Sequence, residues 1–224
     1  MALINFGGLR RLHPISREFG FDRGLPIDRY YIEKFLARHA SDIRGRVLEI
    51  GDDSYTRRFG ESRVEMCDVL HVDAENPSAT IVGDLANAAH IPSDAFDCFI
   101  MTQTLHLIYD LRTALETVYR ILKPRGVLLA TFPGISQTSI DRWGENWCWS
   151  FTRHSAARLF SEAFPVNHTE LQVYGNALAT TSFLQGLAVA ELSAAELDFH
   201  DPNYELILSV RAVKPDYGFT NNLR

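Results

Sequence analysis

The residues of this chain most suited to chemistry follow short apolar runs. Gly51 comes straight after "RVLEI", Asp73 ends "DVLHVD", Asp84 ends "ATIVGD", and Thr102 to His106 lie at and beyond the end of "FDCFIMTQ". A glycine in such a turn lets the backbone approach a bound group that a Cβ would hold off. An acid about twenty residues further on can accept hydrogen bonds from the two hydroxyls of an adenosine ribose, which suits Asp73. Asp84 followed by Leu85 would set a carboxylate near an adenine amino group, with an apolar neighbour against the ring. The stretch "GRVLEIGDDSYTRRFG" therefore opens like the glycine-rich loop that cradles a nucleotide cofactor. It then departs, because Asp52, Asp53 and Ser54 stand where further glycines belong.

Positioning these groups requires strands that end together. "RVLEI", "DVLHVD", "ATIVGD", "FDCFIMTQ" and "GVLLATF" are five short runs bounded by polar or Gly/Pro punctuation, and several are apolar throughout. "LPIDRYYIEKFLARHASDI" carries Ile27, Tyr31, Phe35 and Leu36 at helical spacing behind Pro26. In "LRTALETVYRILKPRG", Leu111, Leu115, Val118 and Leu122 line one helical face before Pro124 and Gly126 end it. A helix "SAARLFSEAF" and strands "HTELQVYG" and "YELILSVRAVK" follow. Alternating strands and helices call for a doubly wound α/β sheet, mostly parallel, with helices on both faces. In an open sheet of this kind the ligand sits beyond the carboxyl ends of the strands, near the point where strand order reverses.

The composition agrees. The chain has 224 residues, 46% hydrophobic and 22% charged, as expected of one globular domain. A formal net charge of -6 with scattered basic residues argues against a nucleic-acid partner. Cys67, Cys98 and Cys148 show no CxxC pairing, so neither a disulfide framework nor a zinc knot is expected, and a cytoplasmic location fits. No apolar run approaches the ~18 residues of a membrane span, and no signal peptide is indicated.

The motifs "VLEIG", "HVDAENP", the long run from "GDLANAAHIP" to "LLATFPG", and "WSFTRHSAARLFSEAF" resemble those of class I S-adenosylmethionine-dependent methyltransferases, in the type-11 branch that acts on small molecules. The similarity covers residues 26 to 174 and is most specific from Asp97 to Phe132. The resemblance implies a Rossmann-like, seven-stranded sheet of order 3-2-1-4-5-7-6 with the last strand antiparallel. It implies S-adenosyl-L-methionine as cofactor, Glu49 and Gly51 at the methionine end, Asp73 at the ribose, Asp84 and Leu85 at the adenine, and Gln103 beside the sulfonium. The family loop is GxGxG, whereas here Asp53 and Tyr55 hold the second and third glycine positions. Asp53 would repel the methionyl carboxylate or pair with its ammonium, while Arg57 and Arg58 could supply the missing positive charge.

Methyl transfer is an in-line displacement that asks chiefly for alignment, exclusion of water and sometimes a base. His106, just past the fourth strand, is a candidate base or a packing residue. His154 after "WCWSFT" is a second candidate, with a surface or capping role as its alternative; Tyr109 is a candidate hydrogen-bond donor to the acceptor, or packing. The segment "ISREFGFDRGLPIDRYY" would form a lid, with Arg17, Arg23, Tyr30 and Tyr31 available to the methionyl carboxylate or acceptor, or else an exposed arm. Trp143, Trp147, Trp149 and Phe151 could stack on a sugar or aromatic acceptor, or fill core.

The expected organisation is a single domain over 1–224: lid and helix 1–44, cofactor-binding core 45–174, helical insertion 175–203 and last strand 204–214. In the insertion, Phe183, Leu184, Leu187, Val189 and Leu192 read as one apolar helix, open to capping the pocket, forming a homodimer seam or folding on the sheet. His200, Asp201 and Glu205 match no metal-ligand spacing, so no metal is expected. The leading expectation is a methyltransferase acting on a hydroxyl, or an amine, of a small metabolite or glycan precursor. The alternatives are non-methylating sulfonium chemistry, by cyclisation or aminocarboxypropyl displacement, and a non-catalytic binding protein.

Overall fold

Period-two burial along the central strands divides their side chains between two faces, and that division is what places helices on both sides. The computed structural model describes residues 7–141 and 143–216. Its strands are β1 (Gly45–Ile50), β2 (Val64–His71), β3 (Ile81–Val82), β4 (Phe96–Thr102), β5 (Leu122–Pro133), β6 (Thr169–Tyr174) and β7 (Ile207–Val213), and its helices α1 (Ile27–Arg38), α2 (Leu111–Ile121), α3 (Arg153–Ala163), α4 (Ala177–Leu184) and α5 (Ala194–Asp198). The strands form one sheet of order β3-β2-β1-β4-β5-β7-β6. β7 runs antiparallel to both β5 and β6, and the other pairings are parallel. Val47, Cys98, Ile100, Val127 and Leu129 turn to the face covered by Ile27, Tyr31 and Phe35 of α1 and by Ala179 and Phe183 of α4. Leu48, Phe99, Met101, Leu128 and Ala130 turn to the other face, under Leu115 and Val118 of α2 and Ala156 and Phe160 of α3.

Caps fix where the helices begin. Asp110 accepts the Thr113 amide at 3.1 Å to start α2, and Thr152 with Ser155 forms a capping box for α3. Because order reverses between β1 and β4, the two connections leaving those strands diverge and open a crevice at their carboxyl ends.

Two elements differ from the sequence expectation. The third strand shrinks to Ile81–Val82, because "ATIVGD" lies at the sheet edge with a pairing partner only in β2. The apolar helix read through Leu192 is broken: α4 stops at Leu184, Gly186 turns the chain at φ +72°, and α5 begins only at Ala194. Asn176 ties the pieces together by capping α4 through the Ala179 amide (2.9 Å) and donating to the Glu196 and Phe199 carbonyls (2.7 Å each).

The N-terminal arm lies along this turn. Ile15 and Ser16 amides donate to the Gln185 carbonyl (2.8 and 3.0 Å), and the Val189 amide donates to Leu25 (2.8 Å). Among the described residues no helix is long and apolar enough to cross a membrane.

Candidate active site

A cleft of about 1470 Å³ opens over the carboxyl ends of β1, β4 and β5. At the end of β1, Glu49 is 2% exposed, and its two oxygens accept the amides of Tyr55 (3.1 Å) and Thr56 (2.7 Å). Burial pushes this carboxyl up to about 7, against the pull of those hydrogen bonds. Gly51 follows at φ +86°, its amide on the Leu70 carbonyl (3.1 Å) and its carbonyl held by Asn76 Nδ2 (2.8 Å). No heavy atom lies within 4 Å of where its Cβ would stand, so the turn faces open space.

The acids that replace the loop's glycines are used inside the loop. Asp52 Oδ1 accepts the Ser54 amide at 2.8 Å, and Asp53 Oδ2 takes Arg57 Nε at 2.6 Å. Arg58 pairs with Glu33 of α1 at 2.7 Å. Arg29, in the first turn of α1, also lines the cleft, and its Nη1 donates to the Tyr55 hydroxyl at 3.2 Å. Burial works against its charge, and Asp28, Tyr55 and Asp52 beside it outweigh that cost.

Leu70, His71 and Val72 contribute the β2 side, and Gly83 to Ala86 the β3 side. Asp84 Oδ1 accepts the Ala86 amide at 2.9 Å and Leu85 is buried beneath the cleft. After β4, Thr102 leads to Gln103 at φ +47°, held by its amide on the Thr131 carbonyl at 2.8 Å. Gln103 Nε2 is buried with no hydrogen-bond partner among the described residues, and a donor left so is costly unless a ligand takes it up.

His106 sits in the short turn Leu105–Leu107 and is 3% exposed, its Nδ1 likewise without a partner. Burial alone lowers it to about 3, so its ring is neutral. Its carbonyl accepts the amides of Cys148 (2.9 Å) and Trp149 (3.2 Å), which lays the tryptophan segment across the cleft. The Trp147 ring then packs 4.2 Å from the imidazole, and Phe19 of the N-terminal arm lies parallel to Trp147 (6.4 Å, 6°) and 5.9 Å from Phe183.

The structure thus brings Glu49, Gly51, Asp84, Leu85, Thr102, Gln103, His106 and Tyr109 to one cleft, and sets five expected residues elsewhere. Tyr31 faces the core of α1, its hydroxyl donating to the Leu197 carbonyl at 2.9 Å, because helical spacing puts it in line with Ile27 and Phe35. Arg23 pairs through Nε with Glu191 at 3.0 Å on the outside of the arm. His154 is exposed in the first turn of α3, beyond the residues that line the cleft. Asp53 is spent on Arg57. Asp73 stands one residue beyond the lining residue Val72, its Oδ1 accepting the Glu75 amide at 2.9 Å. Tyr109 is 77% exposed at the rim, stacked on Trp149 at 5.9 Å. Phe19, Arg29 and Tyr55 also line the cleft; the expected lid segment contains the first two, and the loop the third, but nothing singles them out as site residues. A lone aromatic in an irregular arm and one arginine among many carry no periodicity.

A family model for a methyltransferase domain matches residues 55–130. No curated protein matches the sequence significantly. Among solved structures, a protein described as a putative sarcosine dimethylglycine methyltransferase from Galdieria sulphuraria is similar at a TM-score of 0.57 and 13% identity, over 84% of this chain and 86% of that one. The N-methyltransferase NodS of Bradyrhizobium japonicum aligns at 0.54 and 16%, over 87% and 99%. The [4+2]-cyclase SpnF aligns at 0.54 and 16%, over 83% and 81%. At such identities the structures speak to the fold, whose strand order and reversed last strand are those expected above. The methyltransferase-domain model matches through β2, β4 and β5, about a third of the chain, and the sheet is that of the class I methyltransferase fold.

Proposed function

We infer that this chain binds S-adenosylmethionine over β1 and β4 and methylates a hydroxyl, or less readily an amine, of a small molecule. The observation that carries the reading is a pair of buried, unpartnered polar atoms, Gln103 Nε2 and His106 Nδ1, in a cleft with open space above Gly51. When bound, the cofactor supplies an electrophilic methyl on a sulfonium. The chain supplies position and dryness. Glu49 and the Gly51 turn shape the methionine end, and Arg29 answers its carboxylate in place of the loop cations. Asp84 and Leu85 serve the adenine. Asp73 serves the ribose by leaving the Glu75 amide. Gln103 and Thr102 border the sulfonium, and His106 faces the acceptor. The arm and the tryptophan segment keep water out. The three cysteines are free thiols, as a reducing, cytoplasmic setting keeps them.

Calorimetric titration with S-adenosylmethionine tests the cofactor, and the absence of heat and of a thermal shift at millimolar ligand would remove it. Asp73→Ala should weaken binding by about 1.5 to 3 kcal/mol, the usual worth of hydrogen bonds to a charged group; unchanged affinity moves the ribose to another side chain. A second reading, motivated by the acidic turn at Asp52 and Asp53, is non-methylating sulfonium chemistry at the aminocarboxypropyl chain. Product analysis separates the two: methyl transfer leaves S-adenosylhomocysteine, whereas displacement at the aminocarboxypropyl chain leaves methylthioadenosine.

A further inference from the structure

Beyond β4 and β5 the cleft changes character. Phe19, Leu107, Pro133, Trp147, Phe183 and Ile207 line this part. Several of the charged groups that border it are engaged in local structure, while the exposed Glu18 stands beside Phe19. Asp110 caps α2 through Thr113, Asp141 holds the Ser139 hydroxyl (2.6 Å) and the Trp143 amide (2.9 Å), and Arg17 Nη2 meets His13 Nδ1 at 3.1 Å. Arg29 and Arg58 belong to the opposite side, toward Tyr55 and Glu33. The apolar lining continues outward, since Tyr109 and Ile140 both line the cleft while 77% and 70% exposed. Inside this apolar chamber His106 offers a buried Nδ1 with no partner. Rings recognise rings by face and edge contact, and an apolar chamber with one buried polar atom selects a ligand with one matching polar group.

Building on the methyl-transfer reading, we propose that the acceptor is a flat, ring-bearing phenol whose apolar body packs on Trp147 and Phe19 and whose hydroxyl meets His106 Nδ1. With the imidazole proton on Nε2, Nδ1 accepts the hydroxyl hydrogen bond and aims an oxygen lone pair. That lone pair forms the new O–CH3 bond, the C–S bond breaks with its electron pair staying on sulfur, and the hydroxyl proton leaves to water. The apolar walls disfavour acceptors that carry their own charge, since packing against them strips hydration without returning a hydrogen bond.

The test titrates 2-naphthol, cyclohexanol and ethanolamine calorimetrically into the full chain, with and without S-adenosylhomocysteine. The expected result is 2-naphthol binding about tenfold or more tighter than either cyclohexanol or ethanolamine. Trp147→Leu and Phe19→Leu should each weaken 2-naphthol by about tenfold, the range of a ring–ring contact, while S-adenosylhomocysteine binds both variants as it binds the parent. Equal affinity for cyclohexanol and 2-naphthol, or loss of naphthol affinity in neither variant, overturns the proposal. Failure of S-adenosylhomocysteine to bind overturns the cofactor reading instead. In that case the Trp147-dependence of naphthol binding to the unloaded chain still decides the chamber.

Discussion

The Trp147 indole lies 4.2 Å from the His106 imidazole, centroid to centroid, at 53°. The contact removes His106 from water and leaves it without a charged neighbour, which is why burial alone brings its basicity down to about 3. A ring so weakly basic is an orienting acceptor throughout the physiological range. His106→Phe, which keeps the ring packing and deletes Nδ1, is expected to lower kcat about tenfold, the worth of one hydrogen bond, without changing cofactor affinity. The pH–rate profile should show no inflection near 6.5 that His106→Phe abolishes; a drop of 10²-fold or more together with such an inflection would restore a general base.

Glu49 and His106 are both buried, and burial moves them in opposite directions. Glu49 rises from 4.5 to about 7, so the folded chain holds a proton that the unfolded chain has released. Its contribution to stability is complete below pH 4.5 and is lost as pH rises through about 7. His106 falls from 6.5 to about 3, so only the unfolded chain takes up the proton below pH 6.5, and stability falls as pH drops from there toward 3. Between pH 4.5 and 6.5 the two opposing slopes offset each other, so Glu49→Gln should leave the His106 slope unopposed and make the melting temperature rise with pH across that window, where the parent's is nearly level. An unchanged slope in that window would assign the offset to another group.

Arg29 and Arg23 look alike in sequence but differ in place. Arg29 Nη1 reaches the Tyr55 hydroxyl at the turn after β1, while Arg23 is tied to Glu191 on the outer side of the arm. Arg29→Met is expected to weaken S-adenosylmethionine binding by about 10- to 100-fold, and Arg23→Met by less than about twofold. Isothermal titration of both variants reads the difference. Equal losses would mean that neither cation meets the methionyl carboxylate.

The acidic turn raises a further expectation. Asp53 is held by Arg57 at 2.6 Å, and Arg57 is 79% exposed, so the pair contributes at most ~1 kcal/mol. Asp53→Gly, which restores a glycine at the second loop position, should change cofactor affinity by less than about threefold. Tightening beyond tenfold would show that the Asp53 carboxylate faces the cofactor after all.

Much of this arrangement could be read from the chain, and the parts that could not share a cause. Val47 and Leu48 belong to opposite faces of the sheet, and such alternation together with the Ile27–Tyr31–Phe35 stripe foretells both layers. Gly51 and Asp84 are legible because each stands at the end of an apolar strand run, and Glu49 and Gln103 because the family resemblance points to them. Tyr31 was misassigned to the cleft because a core position at helical spacing carries a hydroxyl that finds its partner in Leu197, 166 residues away in sequence. Phe19 lies on an arm that is hydrogen-bonded to Gln185 and, through Leu25, to Val189. Such long-range pairings leave no local pattern.

The arm itself depends on a single turn. Gly186 adopts φ +72°, and a Cβ there would collide with the carbonyl of Ser16, the residue whose amide is bonded to Gln185. A side chain at this position costs roughly 1–2 kcal/mol for the left-handed backbone alone, and the collision adds displacement of the arm. Phe19 rides on that arm, so its contacts with Trp147 and Phe183 should loosen with it. Gly186→Ala is therefore expected to lower the melting temperature by several degrees, to raise the acceptor KM by about tenfold or more, and to spare S-adenosylhomocysteine affinity. Gly8→Ala is the matched control, because nothing lies within 4 Å of a Cβ built there. An acceptor KM that stays unchanged in Gly186→Ala would mean that the arm holds the fold together without closing the site.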